Sequence, residues 1–280
     1  MKKITRRSFL AAAGLTAAAL ALTACGGSSS STASSVASSA AASSEAASSS
    51  AAAAELTTVE AGKLTMATNA AFPPYEMTTD AGDFEGIDIE TAQAIADKLG
   101  LELQIDDMDF DAALLSVQQG KADIVMAGVT VTDERKAVMD FSDSYATGIQ
   151  SIIVPEGSDI ASPDDLAGKK IGTQRGTTGY IYCSDDFGDE NVVAYDDGLT
   201  AVQALNNGQV DAVVIDNAPA KEFVAANPGL VILETSYAEE DYAIGLAKGS
   251  SLEGAINGAL EELKADGTLQ SIVDKYISAK

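Results

Sequence analysis

Apolar runs and helix-like patterns follow one another through residues 62–126. Ile124-Val125-Met126 is an unbroken apolar run, the pattern of a strand buried on both faces. Apolar residues recur at helical spacing between Ile87 and Leu99, and Gly100 ends that pattern. The order β-α-β-α-β predicts a doubly wound parallel sheet. Its strands are predicted at 62–68, 101–105 and 124–126, and its helices at 87–99 and 112–119.

The second part of the chain repeats the alternation, which predicts a second α/β lobe. Its strands are predicted at 148–154, 169–174, 192–195, 210–215 and 230–233, and its helices at 199–206 and 220–226. A last strand at 242–248 and helices at 252–265 and 269–277 need a sheet to pack on. The second lobe already has its own strands, so the first lobe is the expected host.

The strand at 124–126 leads into a candidate ligand site. Ala127, Gly128 and Thr130 are small residues that let a ligand approach the backbone, and Arg135 follows in a predicted helix start. Open α/β sheets bind ligands at the carboxyl ends of their strands, and a guanidinium can hold a carboxylate by two parallel hydrogen bonds. On this stretch alone, a surface arginine paired with an adjacent acid is an equally good interpretation.

Three further segments lie at predicted strand ends. Pro73-Pro74 forbids helix and places Phe72 and Tyr75 on a stiff loop, either as a stacking wall for a ligand or as caps of the core. Residues 175–179 form a glycine-bracketed loop before a helix, where backbone N–H groups attract an anion. The loop is neither a Walker nor a Rossmann motif, which leaves a carboxylate site, the favoured interpretation, or a turn without function. Asp216 directly follows a buried strand, where by itself it is best explained as a helix cap.

The N-terminus has the pattern of an export signal. Residues 1–24 combine four basic residues, an apolar run shorter than the roughly 20 residues of a membrane span, and small residues before Cys25. The segment 22–25 resembles a bacterial lipobox, in which the cysteine is lipidated, and residues 5–10 also resemble a twin-arginine signal. Residues 25–55 are almost wholly Ser, Ala and Gly, which predicts a disordered tether with a reach of about 30 Å.

Composition excludes several classes of function. The net charge is −25, and removal of residues 1–24 takes away four positive and no negative charges, giving −29. This charge argues against nucleic acid and anionic lipid as partners. The chain has no histidine, which excludes His-containing triads and His-ligated metals, and only Cys25 and Cys183 as cysteines, so no disulfide framework is expected. No metal, cofactor or catalytic residue is predicted.

Taken together, these segments resemble a known family over about residues 64–277. Gly86-Ile-Asp-Ile-Glu90 and the helix after it, with the segments 69–75, 130–135, 176–179 and 211–216, stand in that family's order. The chain is similar to bacterial extracellular solute-binding proteins of family 3, which include lysine/arginine/ornithine-, histidine- and glutamine-binding lipoproteins of ABC importers. Thr91 departs from the family, which usually has an apolar residue there.

The resemblance implies a two-lobed periplasmic-binding-protein fold of type II, with two doubly wound sheets joined by two crossing hinge strands. The crossings would lie near 147–152 and 237–243. The first lobe would comprise residues 56–147 plus 243–280, and the second residues 148–242.

The resemblance also implies roles for the candidate residues. Arg135 would hold the α-carboxylate of an amino acid with Thr130 and the backbone N–H of Thr178, and Asp216 would hold the α-ammonium with the Gly128 carbonyl. Phe72 and Phe110 would sandwich the side chain, with Tyr75 beside them. Asn69 stands where many binders of basic amino acids have an acid, and Gly179 where some relatives have a larger polar residue. The full expected set is Asn69, Phe72, Tyr75, Phe110, Ala127, Gly128, Thr130, Arg135, Gln174, Thr178, Gly179 and Asp216.

The expected function is capture of a polar or cationic amino acid by hinge closure and its delivery to an ABC transporter permease. The protein would be exported, monomeric and lipid-anchored through Cys25 to the outer face of the cell membrane, or to its periplasmic side in a Gram-negative cell. One alternative is an enzyme on the same fold, a cyclic-carboxylate dehydratase, for which Glu76 is the nearest candidate acid, although a solvent-facing Glu76 is favoured. Another is a ligand-sensing ectodomain.

Overall fold

The structure, a computed structural model, describes residues 56–277. The predicted export signal, Cys25 and the tether lie outside the described residues, as do residues 278–280. Its strands, in chain order, are β1 (Lys63–Thr68), β2 (Ala71–Phe72), β3 (Glu76–Thr78), β4 (Phe84–Glu85), β5 (Glu102–Asp107), β6 (Ile124–Val125), β7 (Met139–Phe141), β8 (Ala146–Pro155), β9 (Ile171–Gln174), β10 (Val192–Tyr195), β11 (Ala212–Asp216), β12 (Leu230–Ile232), β13 (Ala238–Tyr242) and β14 (Gly245–Ala247).

The helices follow the predicted periodicity, and several begin after a capping side chain. Thr132, Thr177, Asp197 and Asp216 each accept a backbone N–H at a helix start. The α-helices are α1 (Ile87–Leu99), α2 (Phe110–Gln118), α3 (Asp133–Lys136), α4 (Thr178–Phe187), α5 (Gly198–Asn206), α6 (Asn217–Ala226), α7 (Glu253–Ala265) and α8 (Thr268–Tyr276), with short 3-10 turns at Pro163–Leu166 and Asp189–Asn191.

Two sheets divide the chain into two lobes. The first has the order β5-β1-β6-β14-β7, in which β1 runs parallel to β5 and β6, and β14 runs antiparallel to β6 and β7. The second has the order β10-β9-β11-β8-β12, and β13 also pairs with β8. A small antiparallel sheet, β2-β3-β4, accompanies the first lobe.

Apolar runs place side chains on both faces of each sheet. Ile124 and Val125 are adjacent in β6 yet belong to different hydrophobic clusters, one containing α1, α7 and α8 and the other containing α2. Val213 and Val214 of β11 divide in the same way between two clusters of the second lobe. Burial of each such side chain contributes about 1.5–3 kcal/mol. This is the packing that the unbroken apolar runs predicted.

Two antiparallel strands connect the lobes. β8 and β13 pair from Ala146 with Tyr242 to Gln150 with Ala238. The predicted lobe boundaries, at 147/148 and 242/243, fall on these two strands. A Cβ at Gly148 would overlap the Tyr242 ring, so only glycine fits where the ring crosses β8.

The single strand predicted at 242–248 is wrong. The chain forms β13 up to Tyr242 and then, after the buried residues Ala243 and Ile244, forms β14 in the other sheet. The apolar pattern runs on without a break because residues 242–246 are all buried, although Tyr242 ends β13 and Gly245 begins β14. As expected, β14, α7 and α8 pack on the first lobe.

Candidate functional site

A cleft lies between the two lobes, with about 440 Å³ of space that includes space open to solvent. Its walls come from strand ends and helix starts of both lobes, which is where an α/β sheet exposes backbone and polar side chains. Ten of the twelve predicted residues line it: Asn69, Phe72, Phe110, Ala127, Gly128, Thr130, Arg135, Gln174, Thr178 and Asp216. The other lining residues are Glu76, Gln150, Thr177, Val214, Ile215 and Tyr242.

The other two predicted residues, Tyr75 and Gly179, are not in the cleft wall. Tyr75 is buried in the first-lobe core, where its ring stacks on Phe72 at 5.7 Å between centroids and meets the Tyr242 ring edge-on at 5.5 Å. It therefore supports Phe72 from behind. Gly179 packs beneath Gln150, since a Cβ there would lie 2.9 Å from the Gln150 amide oxygen.

Arg135 is held in place by backbone carbonyls of both lobes. Its Nη1 donates to the Thr130 carbonyl at 2.8 Å and its Nη2 to the Gly176 carbonyl at 3.1 Å. The guanidinium carbon lies 5.4 Å from the centre of the Phe110 ring, a distance that permits a cation–π interaction. Burial lowers the pKa of Arg135, while the nearby Glu240 opposes that shift. A guanidinium has five N–H donors, so Arg135 keeps donors for a ligand.

Asp216 combines the capping role with a place in the cleft. Its Oδ1 accepts from the Ala218 N–H at 2.9 Å, which caps α6, and its Oδ2 accepts from the Ile149 N–H at 2.7 Å. Burial raises the pKa of Asp216, and these two hydrogen bonds oppose the shift. A carboxylate has about four acceptor sites, so two remain for a donor in the cleft.

Hydrogen bonds cross the cleft and show that the lobes are closed on each other. Gln174 Nε2 of β9 donates to Asn69 Oδ1 of the first lobe at 2.8 Å. The bond from Arg135 to the Gly176 carbonyl makes a second crossing. Asn69 in turn donates to the Met108 carbonyl at 2.9 Å, so its amide has a defined orientation at the cleft wall.

Glu76 is fully buried at the floor of the cleft, so the expectation of a solvent-facing Glu76 is wrong. Asp88 of α1 is buried behind it and accepts from the Gly128 N–H at 3.0 Å and the Tyr145 hydroxyl at 2.8 Å. Burial, reinforced by Asp88, raises the pKa of Glu76 well above its usual value, and burial raises the pKa of Asp88 to about 6. Burial and the adjacent Asp88 therefore disfavour the charged form of Glu76 more strongly than burial disfavours that of Asp88.

We expect Glu76→Gln to stabilise the protein above pH 7. An acid whose pKa is raised by folding contributes stability below its unfolded pKa, and that contribution disappears as the pH rises through its folded pKa. Removal of this acid should therefore raise the free energy of unfolding more at pH 8 than at pH 5. Urea denaturation at both pH values measures it, with the exposed Glu102→Gln as control. An equal loss of stability at both pH values would contradict the assignment.

Sequence reasoning missed three buried polar residues of the hinge strands. Gln150 of β8 and Tyr242 of β13 line the cleft, and Glu240 of β13 lies behind Thr130 and Thr178. Glu240 and Tyr242 alternate with exposed Glu239 and Asp241. This period of two is visible in the burial and not in the sequence, where residues 239–241 are three consecutive acids, so no local signal marked the inward face.

Other kinds of site find no support within residues 56–277. No helix in this range is long and apolar enough to cross a bilayer. No group of three or more potential metal-binding side chains is placed to share an ion in the same range. Cys183 is buried, and burial raises the pKa of its thiol to about 12, so it stays protonated and unreactive.

Known proteins show the same architecture. Residues 64–279 match the family model of bacterial extracellular solute-binding proteins, family 3. An arginine-, lysine-, histidine-binding protein, ArtJ, from Geobacillus stearothermophilus is 34% identical, with a TM-score of 0.75 over 78% of this chain and 96% of that one. An ancestral arginine-binding protein bound to arginine is 43% identical, with a TM-score of 0.74 over 78% and 99%. The predicted two-lobed α/β fold is thus confirmed.

Curated relatives agree with these structures. The L-cystine-binding protein TcyJ of Escherichia coli K12 is 33% identical over 225 residues, which are 79% of this chain and 84% of the relative. The arginine-binding extracellular protein ArtP of Bacillus subtilis 168 is 32% identical over 228 residues, or 78% and 87%. These relatives are binding proteins, and the chain is accordingly a binding protein and not the dehydratase-like enzyme weighed above. By the family match and these identities, the chain belongs to the bacterial extracellular solute-binding proteins, family 3.

Proposed function

We propose that the cleft binds a free amino acid through both of its backbone charges. The observation that carries this proposal is the pair Arg135 and Asp216, two buried residues of opposite charge that line one cleft from different lobes. Arg135 receives the α-carboxylate, and Asp216 receives the α-ammonium together with the Gly128 carbonyl. Exclusion of water strengthens both charge pairs.

Ligand capture follows from the position of these residues on two lobes. A zwitterion that contacts both lobes binds the closed state more tightly than an open one, and therefore shifts the population towards closure. We propose that the closed form is delivered to the permease of an ABC importer, and that the protein works as a monomer. The hinge strands β8 and β13 provide the connection about which the lobes would move.

We propose further that the side chain of the ligand is cationic. Four buried acids line the cleft or lie directly behind its wall, and Arg135 is the single buried basic residue among residues 56–277. The four acids are Glu76, Asp88, Asp216 and Glu240, and because burial and Asp88 raise the pKa of Glu76 well above its usual value, the negative charge comes mainly from the other three. The faces of Phe72 and Phe110 suit a flat or cationic side chain, and several relatives bind arginine. Arginine and lysine fit this environment, although Asn69 is neutral where an acid would add to the attraction.

Calorimetric titration of the purified full-length protein tests this function. L-Arginine and L-lysine should bind at least about tenfold more tightly than L-glutamine, L-cystine and L-histidine at pH 8, a difference of about 1.4 kcal/mol. Equal affinity for a neutral amino acid would contradict the cationic ligand and leave the zwitterion site standing. Absence of binding by every amino acid would contradict the function itself.

We propose that Cys25 carries a lipid that anchors the exported protein at the outer face of the membrane. The basic n-region, apolar run and small residues before Cys25 support this. Cys25→Ser should release the protein from the membrane fraction in the producing bacterium, because the tether has no apolar segment of its own. Fractionation and intact mass measure the result, with Ser28→Ala, a change in the tether that leaves the cysteine in place, as the control. Retention in the membrane fraction of Cys25→Ser protein from which, by intact mass, residues 1–24 have been removed would contradict the anchor.

A further inference from the structure

Glu240 occupies a junction between the lobes and the hinge. It lies on β13, is 6% exposed, and its Oε2 accepts three hydrogen bonds of 3.0 Å each. One comes from the Thr130 hydroxyl of the first lobe, one from the Thr178 hydroxyl of the second lobe, and one from the Gln150 amide of β8. One carboxylate oxygen therefore connects both lobes and both hinge strands.

These bonds determine which donors of Thr130 and Thr178 are available to a ligand. A threonine hydroxyl has a single proton, so a hydroxyl that donates to Glu240 cannot also donate to a ligand carboxylate. The backbone N–H groups of Thr130 and Thr178 have no hydrogen-bond partner within residues 56–277, and both residues line the cleft. Thr178 is the first residue of α4, and its N–H is one of the free donors at a helix start. The donors left for a carboxylate are these two N–H groups and Arg135.

The same bonds depend on closure. Thr130 and Thr178 belong to different lobes, and their hydroxyl oxygens are 3.4 Å apart in the closed structure. When the lobes separate, the two hydroxyls move apart, and at least one must leave Oε2. Breaking either bond leaves the Glu240 oxygen or a threonine hydroxyl with fewer hydrogen-bond partners, which costs free energy. The hydrogen bonds to Glu240 therefore favour the closed state.

We infer that Glu240 is a positioning residue that couples closure to carboxylate recognition. It aligns the N–H groups of Thr130 and Thr178 towards one point through their hydroxyls, and it stabilises the closed arrangement in which they meet. Arg135 lies near Glu240 and supplies the positive charge that a second carboxylate requires there. The inference rests on the proposed amino-acid function for its ligand, but its effect on closure does not.

Glu240→Gln removes the negative charge of the side chain but keeps its volume and one acceptor oxygen. Glu240→Ala removes the charge, the acceptors and the volume together. Gln keeps one acceptor oxygen for the Oε2 position, and its amide nitrogen would replace Oε1, which has no partner within residues 56–277. Ala removes every acceptor. Glu239→Ala changes the neighbouring exposed glutamate of the same strand and serves as the matched control. Because Glu240→Gln keeps the volume, it carries the test if Glu240→Ala does not fold.

Two readouts test the inference on the full-length protein. Dyes on cysteines introduced at exposed Lys121 and Lys221, one in each lobe, report closure by energy transfer. Cys25 is replaced by serine in every variant, and the buried Cys183 stays unlabelled. Stopped-flow mixing with L-arginine gives association and dissociation rates. We expect Glu240→Ala to dissociate at least about tenfold faster, to associate within about twofold of the control, and to shift towards the open state, with Glu240→Gln between them.

The outcomes distinguish this inference from the proposed function. Binding as tight as the Glu239→Ala control, or tighter, would overturn the positioning role and show that Glu240 competes with the ligand. An unchanged energy transfer in the Glu240 variants, with and without arginine, would overturn the coupling to closure. If the control itself does not respond to arginine or lysine, the proposed ligand is wrong, and the shift in the ligand-free protein still decides the role in closure.

Discussion

Arg135→Lys should weaken binding of L-arginine by at least about a hundredfold. Lysine keeps the charge, but a single ammonium cannot bond the Thr130 and Gly176 carbonyls and also hold a carboxylate with two parallel bonds. Loss of one partner of a buried, hydrogen-bonded charge pair costs about 2–5 kcal/mol. Isothermal titration measures the change, and circular dichroism checks that the fold is retained.

The matched control for this variant is Arg175→Lys. Arg175 is the first residue of the glycine-bracketed loop 175–179, which also contains Gly176. Its side chain is 52% exposed, and its charged partner is Asp196 at 3.6 Å. Agmatine, which resembles arginine without the carboxylate, adds a second control, because it should bind the wild type and Arg135→Lys with similar affinity. Arginine affinity within threefold of the wild type in Arg135→Lys would exclude Arg135 as the carboxylate-binding residue.

Asp216→Asn should weaken binding of the same ligand by about a hundredfold. Asparagine is as good a helix cap as aspartate, so α6 keeps its start, while the negative charge facing the ammonium is lost. Its single amide oxygen replaces two carboxylate oxygens, which leaves the Ile149 N–H without its acceptor. The variant is therefore expected to lose about 1 kcal/mol of stability in addition to its affinity.

Asp197→Asn is a control that separates the loss of stability in Asp216→Asn from its loss of ligand affinity. Asp197 caps α5 through the Thr200 N–H at 2.7 Å and is not a lining residue of the cleft. It should lose a similar amount of stability and keep its affinity for arginine. Nα-acetylarginine, which has no α-ammonium, should bind the wild type weakly. Its affinity for Asp216→Asn should not be lower than its affinity for the wild type. Normal arginine affinity in Asp216→Asn would place the ammonium elsewhere in the cleft.

Local patterns in the sequence predicted the parts of the site that depend on short-range physics. The apolar run of β6, the Thr132 cap and the following Arg135 are all determined within about a dozen residues. The same holds for Asp216 at the end of β11, because strand, cap and helix follow directly along the chain. Such signals depend on dihedral preference and hydrophobic periodicity, which a single sequence displays.

The features of the site that the sequence did not predict depend on contacts between segments that are distant along the chain. Glu76 is buried at a cleft whose walls come from both lobes, and Tyr75 turns into the core, where Tyr242, far later in the chain, meets its ring. Glu240 meets Thr130 and Thr178 only after both lobes have folded and closed. No local pattern separates a buried acid from an exposed one in such segments, since the partner that decides its position is remote in the chain.

The strand order of the first sheet has a consequence for the order in which the two lobes fold. β14 lies between β6 and β7, so β7 has no neighbour in that sheet until residues 245–247 are available. The second lobe is encoded by one continuous stretch, whereas the first requires both ends of the folded region. A nascent chain of this protein therefore cannot complete its N-terminal lobe before nearly its whole length has been made. Pairings between segments so far apart form slowly, so the first lobe is expected to reach its folded state later than the second.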